Sequence, residues 1–244
     1  MRKHVFMILF IIGYLVSSSL LALTPNGTSR VMKNGQRFCI WVLKLLNINV
    51  KVNGTIQDGI IVANHQSYVD ILAILSVRPT RFISFTEMAS LPGVGWITSI
   101  SQTLFVNRSN PSQIKKDVAR FENELCKNMP FVFFPEGASF DGSALRPFKS
   151  SLFESAVKTG LSVQPLCIRY LEVNGEPVSI KNRDLIFYHG DMQLLPQLLG
   201  LLKLKSITVE LVFLDSIKSN EKTRKDLAVA SYNEISKHFR PVIA

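Results

Sequence analysis

The chain has 244 residues, of which 47% are hydrophobic and 19% are charged, and its formal net charge is +10. A chain of this length can bury a full core, and its composition is too polar for a protein built from many membrane spans. The positive charge suits an anionic partner such as nucleic acid, an anionic bilayer surface or an acidic carrier protein. Because lysine and arginine are scattered rather than interleaved with aromatic residues in one block, we expect no nucleic-acid partner.

The N-terminal region is apolar. Residues 5–23 carry no charge and follow Arg2, Lys3 and His4. The run is close to the ~20 residues that a helix needs to cross a bilayer core. A cleaved signal peptide is the alternative, because residues 17–22 are rich in small side chains. We predict a retained anchor, and the basic residues after it favour a cytoplasmic position for the rest of the chain.

The next segment, residues 30–46, combines basic with apolar and aromatic side chains, as an interfacial amphipathic helix does. An ordinary surface helix that packs on the domain has the same pattern, and a re-entrant hairpin with the first apolar run is a further possibility. We therefore divide the chain into an anchor with an amphipathic helix (1–47) and one α/β domain (48–244). The cysteines are odd in number and widely spaced, which predicts neither a disulfide framework nor a metal cluster and favours a reducing compartment; they are Cys39, Cys126 and Cys167.

From residue 49 onwards, apolar runs of strand length alternate with helical segments, which is typical of an α/β sheet. The predicted strands cover residues 49–53, 59–63, 81–85, 103–107, 130–134, 163–169, 185–188 and 207–214. The predicted helices cover residues 69–77, 111–127, 149–159 and 220–238. Residues 192–203 are apolar nearly all round, which fits either a second membrane-contacting helix or a buried core helix.

The segment NHQSYVD, residues 64–70, follows an apolar strand. A histidine is a suitable general base near neutral pH, and a carboxylate on its other ring nitrogen fixes the tautomer and stabilises the imidazolium. His65 and Asp70 are five residues apart and cannot share one helix face. The spacing therefore predicts His65 on the strand-to-helix loop and Asp70 in the first helical turn. Such a spacing arises by chance in roughly one shuffled chain in eight, so a loop histidine bonded to a backbone carbonyl is the alternative.

The segment FPEG, residues 134–137, is a rarer motif, expected in roughly one shuffled chain in six hundred. It ends the most apolar strand, and open α/β sheets bind ligands at the carboxyl ends of their strands. Gly137 would let the backbone approach a substrate, and Glu136 would hold a hydroxyl or a head group. A plain turn with a solvated Glu136 is the alternative.

Taken with two shorter segments, these motifs resemble the glycerolipid acyltransferase family, to which bacterial 1-acylglycerol-3-phosphate acyltransferases belong. The four blocks occur in the family's order, and the first and third are the specific ones. They are NHQSYVD (64–70), TLFVNR (103–108), FPEGASF (134–140) and VQPLCI (163–168). The resemblance covers about residues 40–215 and implies a mixed, largely parallel sheet flanked by helices, with an N-terminal membrane-associated helical segment.

The resemblance also implies an activity, the transfer of a fatty acyl group from an acyl thioester to a lysolipid hydroxyl. The expected acceptor is 1-acyl-sn-glycerol-3-phosphate, which would give phosphatidic acid at the cytoplasmic face of a bacterial inner membrane. His65 would be the base and Asp70 would orient it. No cofactor is expected, and the acyl donor would be acyl-CoA or acyl carrier protein. The residues expected to bind the acceptor are Arg108, Glu136, Gly137, Arg146 and Lys149.

The third block departs from the family's FPEGTRS, since Ala138 and Ser139 stand where the family has threonine and arginine. That arginine is expected to bind the acceptor phosphate, a task that suits a planar guanidinium. Residues 134–153 and 188–199 also look like the bacterial branch that acylates lyso-ornithine lipid. Lyso-ornithine lipid, or another lysolipid, is therefore the alternative acceptor.

Other classes of protein fit less well. A serine hydrolase is disfavoured because the sequence has no G-x-S-x-G motif. A metal site is disfavoured because the four histidines show no ligand spacing. A non-catalytic lipid-binding protein on the same scaffold is the alternative from another class. The substitution His65→Ala distinguishes them, since it would abolish acyl transfer and leave lipid binding intact.

Overall fold

The computed structural model describes residues 12–14, 16–24, 27–86, 103–106, 116–117, 119 and 130–243. Strands in the described part form a single sheet. They are β1 (Ile48–Asn53), β2 (Ile60–Ala63), β3 (Arg81–Phe85), β4 (Leu104–Val106), β5 (Phe131–Phe133), β6 (Val163–Val173), β7 (Glu176–Pro177) and β8 (Ile207–Phe213). The α-helices with defined ends are α1 (Gly27–Leu45), α2 (Val69–Val77), α3 (Glu154–Thr159), α4 (Leu194–Leu201) and α5 (Arg224–His238).

The sheet is mixed and largely parallel, as predicted. Its strand order is β1-β8-β6-β2-β5-β3-β4, with β7 paired to β6. Among the strands named above, β6 pairs antiparallel with β7 and β8, and the other pairings are parallel. Strands β2 and β5 are parallel neighbours, with Ile60 opposite Phe131. Their carboxyl ends therefore meet at one edge, which places the segment after β2 beside the segment after β5.

Both faces of the central strands are covered, which explains why they read as continuous apolar runs. All four residues of β2 are buried. On one face Ile61 and Ala63 pack in a cluster with the apolar side of α2. On the other face Ile60 and Val62 pack in a second cluster that includes residues of α3 and α5.

Most predicted elements are present, with shifted ends. The helix predicted over 69–77 is confirmed at both ends. The helix predicted over 220–238 begins only at Arg224, because Thr223 and Asp226 form a capping box there. The helix predicted over 149–159 starts as a 3₁₀ turn, Ser151–Phe153, before α3. The helix predicted over 111–127 lies largely outside the described residues.

The strand predicted over 185–188 is wrong. Arg183–Leu185 is a 3₁₀ turn, and the chain continues without pairing to the sheet. Ile186 and Phe187 are fully buried in the core cluster. Their apolar pattern therefore reflects burial under a loop rather than a position in the sheet.

The described residues between 12 and 24 form a helical hairpin with α1. Residues 12–14 and 16–22 are helical, and Tyr14 stacks on Phe38 with ring centroids 4.2 Å apart. Asn34 Nδ2 donates to the hydroxyls of Ser17 and Ser18 at 2.9 and 2.8 Å. In the described part of the chain, no helix combines the length and apolar character needed to cross a membrane. Residues 5–11 and 15 of the predicted anchor lie outside the described residues.

Helix α1 is amphipathic and packs on the domain. Val31 and Leu43 are buried, whereas Arg30 and Lys33 are exposed. Gln36 Nε2 donates to the Ser76 carbonyl of α2 at 3.0 Å. The predicted domain boundary, between residues 47 and 48, falls in the turn that joins α1 to β1.

Candidate active site

His65 and Asp70 are in direct contact. His65 lies on the loop after β2 and Asp70 lies in the first turn of α2, as their spacing predicts. Nδ1 of the imidazole is 2.8 Å from Oδ2 of the carboxylate. The Asp70 side chain is fully buried, whereas that of His65 is 16% exposed. The pair therefore turns one ring nitrogen inwards and leaves Nε2 without a hydrogen-bond partner among the described residues.

The Asp70 carboxylate accepts hydrogen bonds at both oxygens. Oδ2 also accepts the backbone N–H groups of Gln66 and Ser67, at 2.8 and 3.0 Å. Oδ1 accepts the hydroxyl of Tyr170, a residue of β6, at 2.5 Å. A buried charge needs such partners, since burial without them is costly. The donors fix the carboxylate, and the carboxylate fixes the imidazole.

Asn64 anchors the start of this loop. Its Nδ2 donates to the carbonyl of Ile168, and its Oδ1 accepts the Ile168 N–H, at 3.0 and 2.8 Å. These two bonds continue the pairing of β2 with β6 through a side chain. The chain leaves the sheet directly after Asn64, so these two bonds fix the position of the His65 backbone.

Glu136 joins the two motifs. Oε1 accepts the backbone N–H of His65 at 2.7 Å, and Oε2 accepts that of Arg146 at 3.0 Å. The side chain is buried, and burial raises the pKa of its carboxyl to about 7, although the two N–H groups act in the opposite direction. Both oxygens are engaged within the protein. A contact of Glu136 with substrate stays a prediction.

Phe134 and Gly137 shape the turn after β5. The Phe134 ring stacks on the His65 imidazole, with centroids 4.0 Å apart and an interplanar angle of 12°. Gly137 has φ +84°, a conformation that L side chains rarely adopt, and an added Cβ would lie 2.6 Å from Lys149 Nζ. The positive φ therefore requires glycine here, whereas the flexible end of the exposed Lys149 side chain can move away from a Cβ.

An apolar cavity of about 280 Å³ opens beside His65. Aromatic and aliphatic side chains form most of its wall, including Phe82, Phe134 and Leu152. The turn after β5 contributes Gly137 to Ser139. Tyr68 and Tyr188 line the same cavity, with their rings 4.7 Å apart. The described lining contains no lysine, arginine or carboxylate, so this space suits a hydrocarbon chain.

The predicted acceptor-binding residues fall in different places. Arg146 is exposed, and its guanidinium lies over the Phe140 ring at 5.0 Å. Lys149 is exposed, and its backbone N–H donates to the Pro135 carbonyl. Arg108 lies outside the described residues. The structure thus brings Gly137 and Lys149 close together. Arg146 lies with them on the segment between β5 and the 3₁₀ turn Ser151–Phe153.

Residues missed by the sequence analysis also contribute. Tyr170 is one hundred residues from Asp70 in the chain, and no local motif marks it. Tyr188 was placed in the incorrect strand, yet its backbone N–H donates to the Gln66 carbonyl and its ring lines the cavity. Within the described residues, no group of three or more His, Cys, Asp or Glu side chains is arranged to hold a metal.

A second histidine–aspartate contact lies outside this cavity. His189 Nε2 is 3.0 Å from Asp184 Oδ1, and the Asp184 side chain is 59% exposed. Exposed ion pairs of this kind contribute little to the stability of a protein. Neither His189 nor Asp184 lines the cavity. Burial and a neighbouring cavity distinguish the His65–Asp70 pair.

Comparison with known proteins agrees with this architecture. The family model described as Acyltransferase matches residues 47–169. The structure of PlsC from Thermotoga maritima, a 1-acyl-sn-glycerophosphate acyltransferase, has a TM-score of 0.64 and 21% identity, covering 98% of this chain and 96% of that one. At this identity the likeness concerns the fold.

Curated relatives extend the match over most of the chain. A lyso-ornithine lipid O-acyltransferase of Rhodobacter capsulatus is 32% identical, covering 80% of this chain and 70% of the relative. One from Brucella abortus is 29% identical, with 86% and 82% covered. A 1-acyl-sn-glycerol-3-phosphate acyltransferase of Neisseria meningitidis is 28% identical, with 83% and 78% covered. The chain therefore belongs to the acyltransferase family of enzymes.

Proposed function

We propose that this protein transfers a fatty acyl group from an acyl thioester to the hydroxyl of a lysolipid, with His65 as the general base and Asp70 as its orienting carboxylate. The observation that carries the proposal is the buried His65–Asp70 contact at the wall of an apolar cavity. To remove the proton from a water-insoluble alcohol, an enzyme needs a base that is held in one tautomer beside an apolar cavity.

The reaction is direct transfer without an acyl-enzyme. Nδ1 of His65 faces Asp70, so Nε2 takes the proton from the acceptor hydroxyl. The oxygen attacks the thioester carbonyl, and Asp70 stabilises the imidazolium that forms. The carbon–sulfur bond then breaks, and the imidazolium returns its proton to the leaving thiolate. Acyl-CoA or acyl carrier protein supplies the thioester, and no cofactor takes part.

We propose lyso-ornithine lipid as the first acceptor to test and 1-acyl-sn-glycerol-3-phosphate as the second. Ala138 and Ser139 occupy the positions of the threonine and arginine in the third block, and the described cavity lining has no cationic side chain. Both features favour an acceptor whose head group needs no buried cationic side chain to bind a phosphate. Arg108, Arg146 and Lys149 are the cations that a phosphate-bearing acceptor would use.

A panel of purified-enzyme assays tests these statements. Both donors, acyl-CoA and acyl carrier protein, are paired with lyso-ornithine lipid and with lysophosphatidate, and the acylated product is measured. We expect ester formation with at least one acceptor and its loss in His65→Ala. Acyl transfer that persists in this variant would contradict the mechanism. Lipid binding without any transfer by the wild type would favour the non-catalytic alternative.

We also propose that the N-terminal hairpin rests on an anionic bilayer. Ile12, Val16 and Leu20 are more than half exposed and lie four residues apart, on one side of their helix. Arg30 and Lys33 are exposed on α1, which packs against that helix. Apolar side chains beside basic ones suit an interface with acidic lipids.

Vesicle sedimentation tests the membrane contact. We expect more binding to phosphatidylglycerol vesicles than to phosphatidylcholine vesicles, and a loss of binding in Val16→Glu. Val229→Glu, at a 59% exposed position on α5, is the matched control. Equal binding by both variants would remove the hairpin from the interface. The inner-membrane location with the catalytic domain towards the cytoplasm stays a prediction, which protease accessibility in inverted membrane vesicles measures.

A further inference from the structure

Tyr170 is a buried tyrosine that the mechanism above does not use. It lies on β6, is 8% exposed, and packs edge-on against Phe187 with ring centroids 5.2 Å apart. Its hydroxyl reaches across the core to Oδ1 of Asp70. That oxygen is the one that does not face His65.

We propose that Tyr170 is the positioning residue of the His65–Asp70 pair: its hydroxyl holds the Asp70 carboxylate in place and sets how strongly the imidazole retains a proton. The catalytic consequence rests on the function proposed above. The contact between Tyr170 and Asp70, and its effect on the imidazole, do not depend on that function.

The distribution of donors supports this role. Oδ2 receives three donors, from His65 Nδ1 and from the backbone N–H groups of Gln66 and Ser67. Among the described residues, Tyr170 supplies the hydrogen bond to Oδ1. Asp70 is fully buried, so an oxygen left without a donor would carry its charge unsolvated. The hydroxyl therefore draws part of the negative charge away from the side that faces the imidazole.

The surroundings keep Tyr170 as a donor. Burial, followed by the charge of Asp70, raises the pKa of the phenol well above its ordinary value, so the hydroxyl stays protonated. Besides Tyr170, two titratable side chains in the described part lie close to Asp70. They are His65, on the loop after β2, and Glu136, on the turn after β5. Glu136 accepts from the backbone N–H groups of His65 and Arg146, and its charge interacts with His65 and Asp70, so each comparison is repeated in a Glu136→Gln background, which removes its titration. A difference between wild-type and variant pH profiles therefore reports on the tyrosine.

The test is Tyr170→Phe, which keeps the ring and removes the hydroxyl. The charge of Asp70 then concentrates on Oδ2 and stabilises the imidazolium. We expect the ¹⁵N NMR titration midpoint of His65 in the free protein, and the acid limb of the kcat/KM profile, to move to higher pH. Without the Tyr170 hydroxyl the carboxylate is held only at Oδ2. The resulting misplacement of the imidazole outweighs its stronger stabilisation, so we expect a kcat about tenfold to a hundredfold lower, with KM values within about twofold.

Two further variants complete the test. Tyr232→Phe is the matched control, because Tyr232 lies on α5, packs edge-on against Phe148 and belongs to a different apolar cluster from Tyr170. We expect it to change neither profile. A 3,5-difluorotyrosine at position 170 retains the shape of the side chain and is a stronger donor, so both midpoints should move to lower pH. This variant also keeps the proposal testable if Tyr170→Phe fails to fold.

The outcomes are distinct. Opposite shifts of the His65 midpoint in the two variants support the proposal, even if no acyl acceptor is found. An unchanged His65 midpoint in the fluorinated variant overturns it. A loss of activity in Tyr170→Phe that is accompanied by a lower melting temperature, with the midpoint unmoved, also overturns it and assigns Tyr170 a purely structural role. Absence of acyl transfer in the wild type would instead contradict the proposed function.

Discussion

Replacing Asp70 by asparagine isolates the negative charge of the His65–Asp70 pair, because the two side chains have nearly the same shape. In the best arrangement the amide oxygen takes the position of Oδ2 and accepts from His65 Nδ1 and from the N–H groups of Gln66 and Ser67. The amide nitrogen then donates to the Tyr170 hydroxyl oxygen. In this arrangement the imidazole keeps its tautomer, and we expect the fold to be retained. What is lost is the charge that, in the proposed mechanism, stabilises the imidazolium.

The size of this loss follows from the geometry. The Nδ1 to Oδ2 distance is 2.8 Å. With the charge centres roughly 4 Å apart, opposite unit charges interact by about 4 kcal/mol at an effective dielectric constant of about 20. Each ~1.4 kcal/mol changes a rate tenfold, so we expect turnover about a thousandfold lower in Asp70→Asn.

The assay is release of thiol from the acyl donor in the presence of lysolipid, together with circular dichroism to establish that the variant is folded. Asp184→Asn is the matched control, since Asp184 makes the exposed contact with His189 and lines no part of the cavity. We expect wild-type turnover from this control. A folded Asp70→Asn variant with turnover within about threefold of wild type would refute the reasoning.

Three further predictions concern stability and substrate recognition. The pKa of Glu136 is raised from 4.5 to about 7 in the folded protein, so the stability linked to its proton is present below pH 4.5 and lost as the pH rises through about 7. Urea unfolding should show this loss, roughly 3 kcal/mol, in the wild type and not in Glu136→Gln; equal pH dependence in both would contradict it. Gly160→Ala should cost about 1–2 kcal/mol through its φ of +71° alone, whereas Gly142→Ala should cost more, because its Cβ would lie 2.6 Å from the Phe187 ring; equal unfolding midpoints would exclude the clash. Arg108→Ala should raise KM more for lysophosphatidate than for a neutral lysolipid in steady-state assays, and equal changes would remove Arg108 from head-group recognition.

The sequence alone was informative where structure is local. The five-residue separation of His65 and Asp70 predicted a loop position and a first-turn position, and the two side chains meet from those places. Helix α2 was predicted to the residue, because its apolar run has helical length and follows a loop rich in polar side chains. The strand predicted over 185–188 failed because burial under a loop and burial in a sheet give the same apolar pattern.

By itself the sequence predicted the contact of His65 with Asp70 and the α/β class, and the family resemblance implied the largely parallel sheet. Only the tertiary structure decided which distant groups complete the site. Glu136 reaches the His65 backbone from 71 residues away, since β2 and β5 are neighbours. Tyr170 reaches Asp70 from 100 residues away, since β6 lies on the other side of β2. The physical reason is that the apolar pattern of a strand reflects its burial, whereas its neighbours in the sheet are set by contacts between residues that are far apart in the chain.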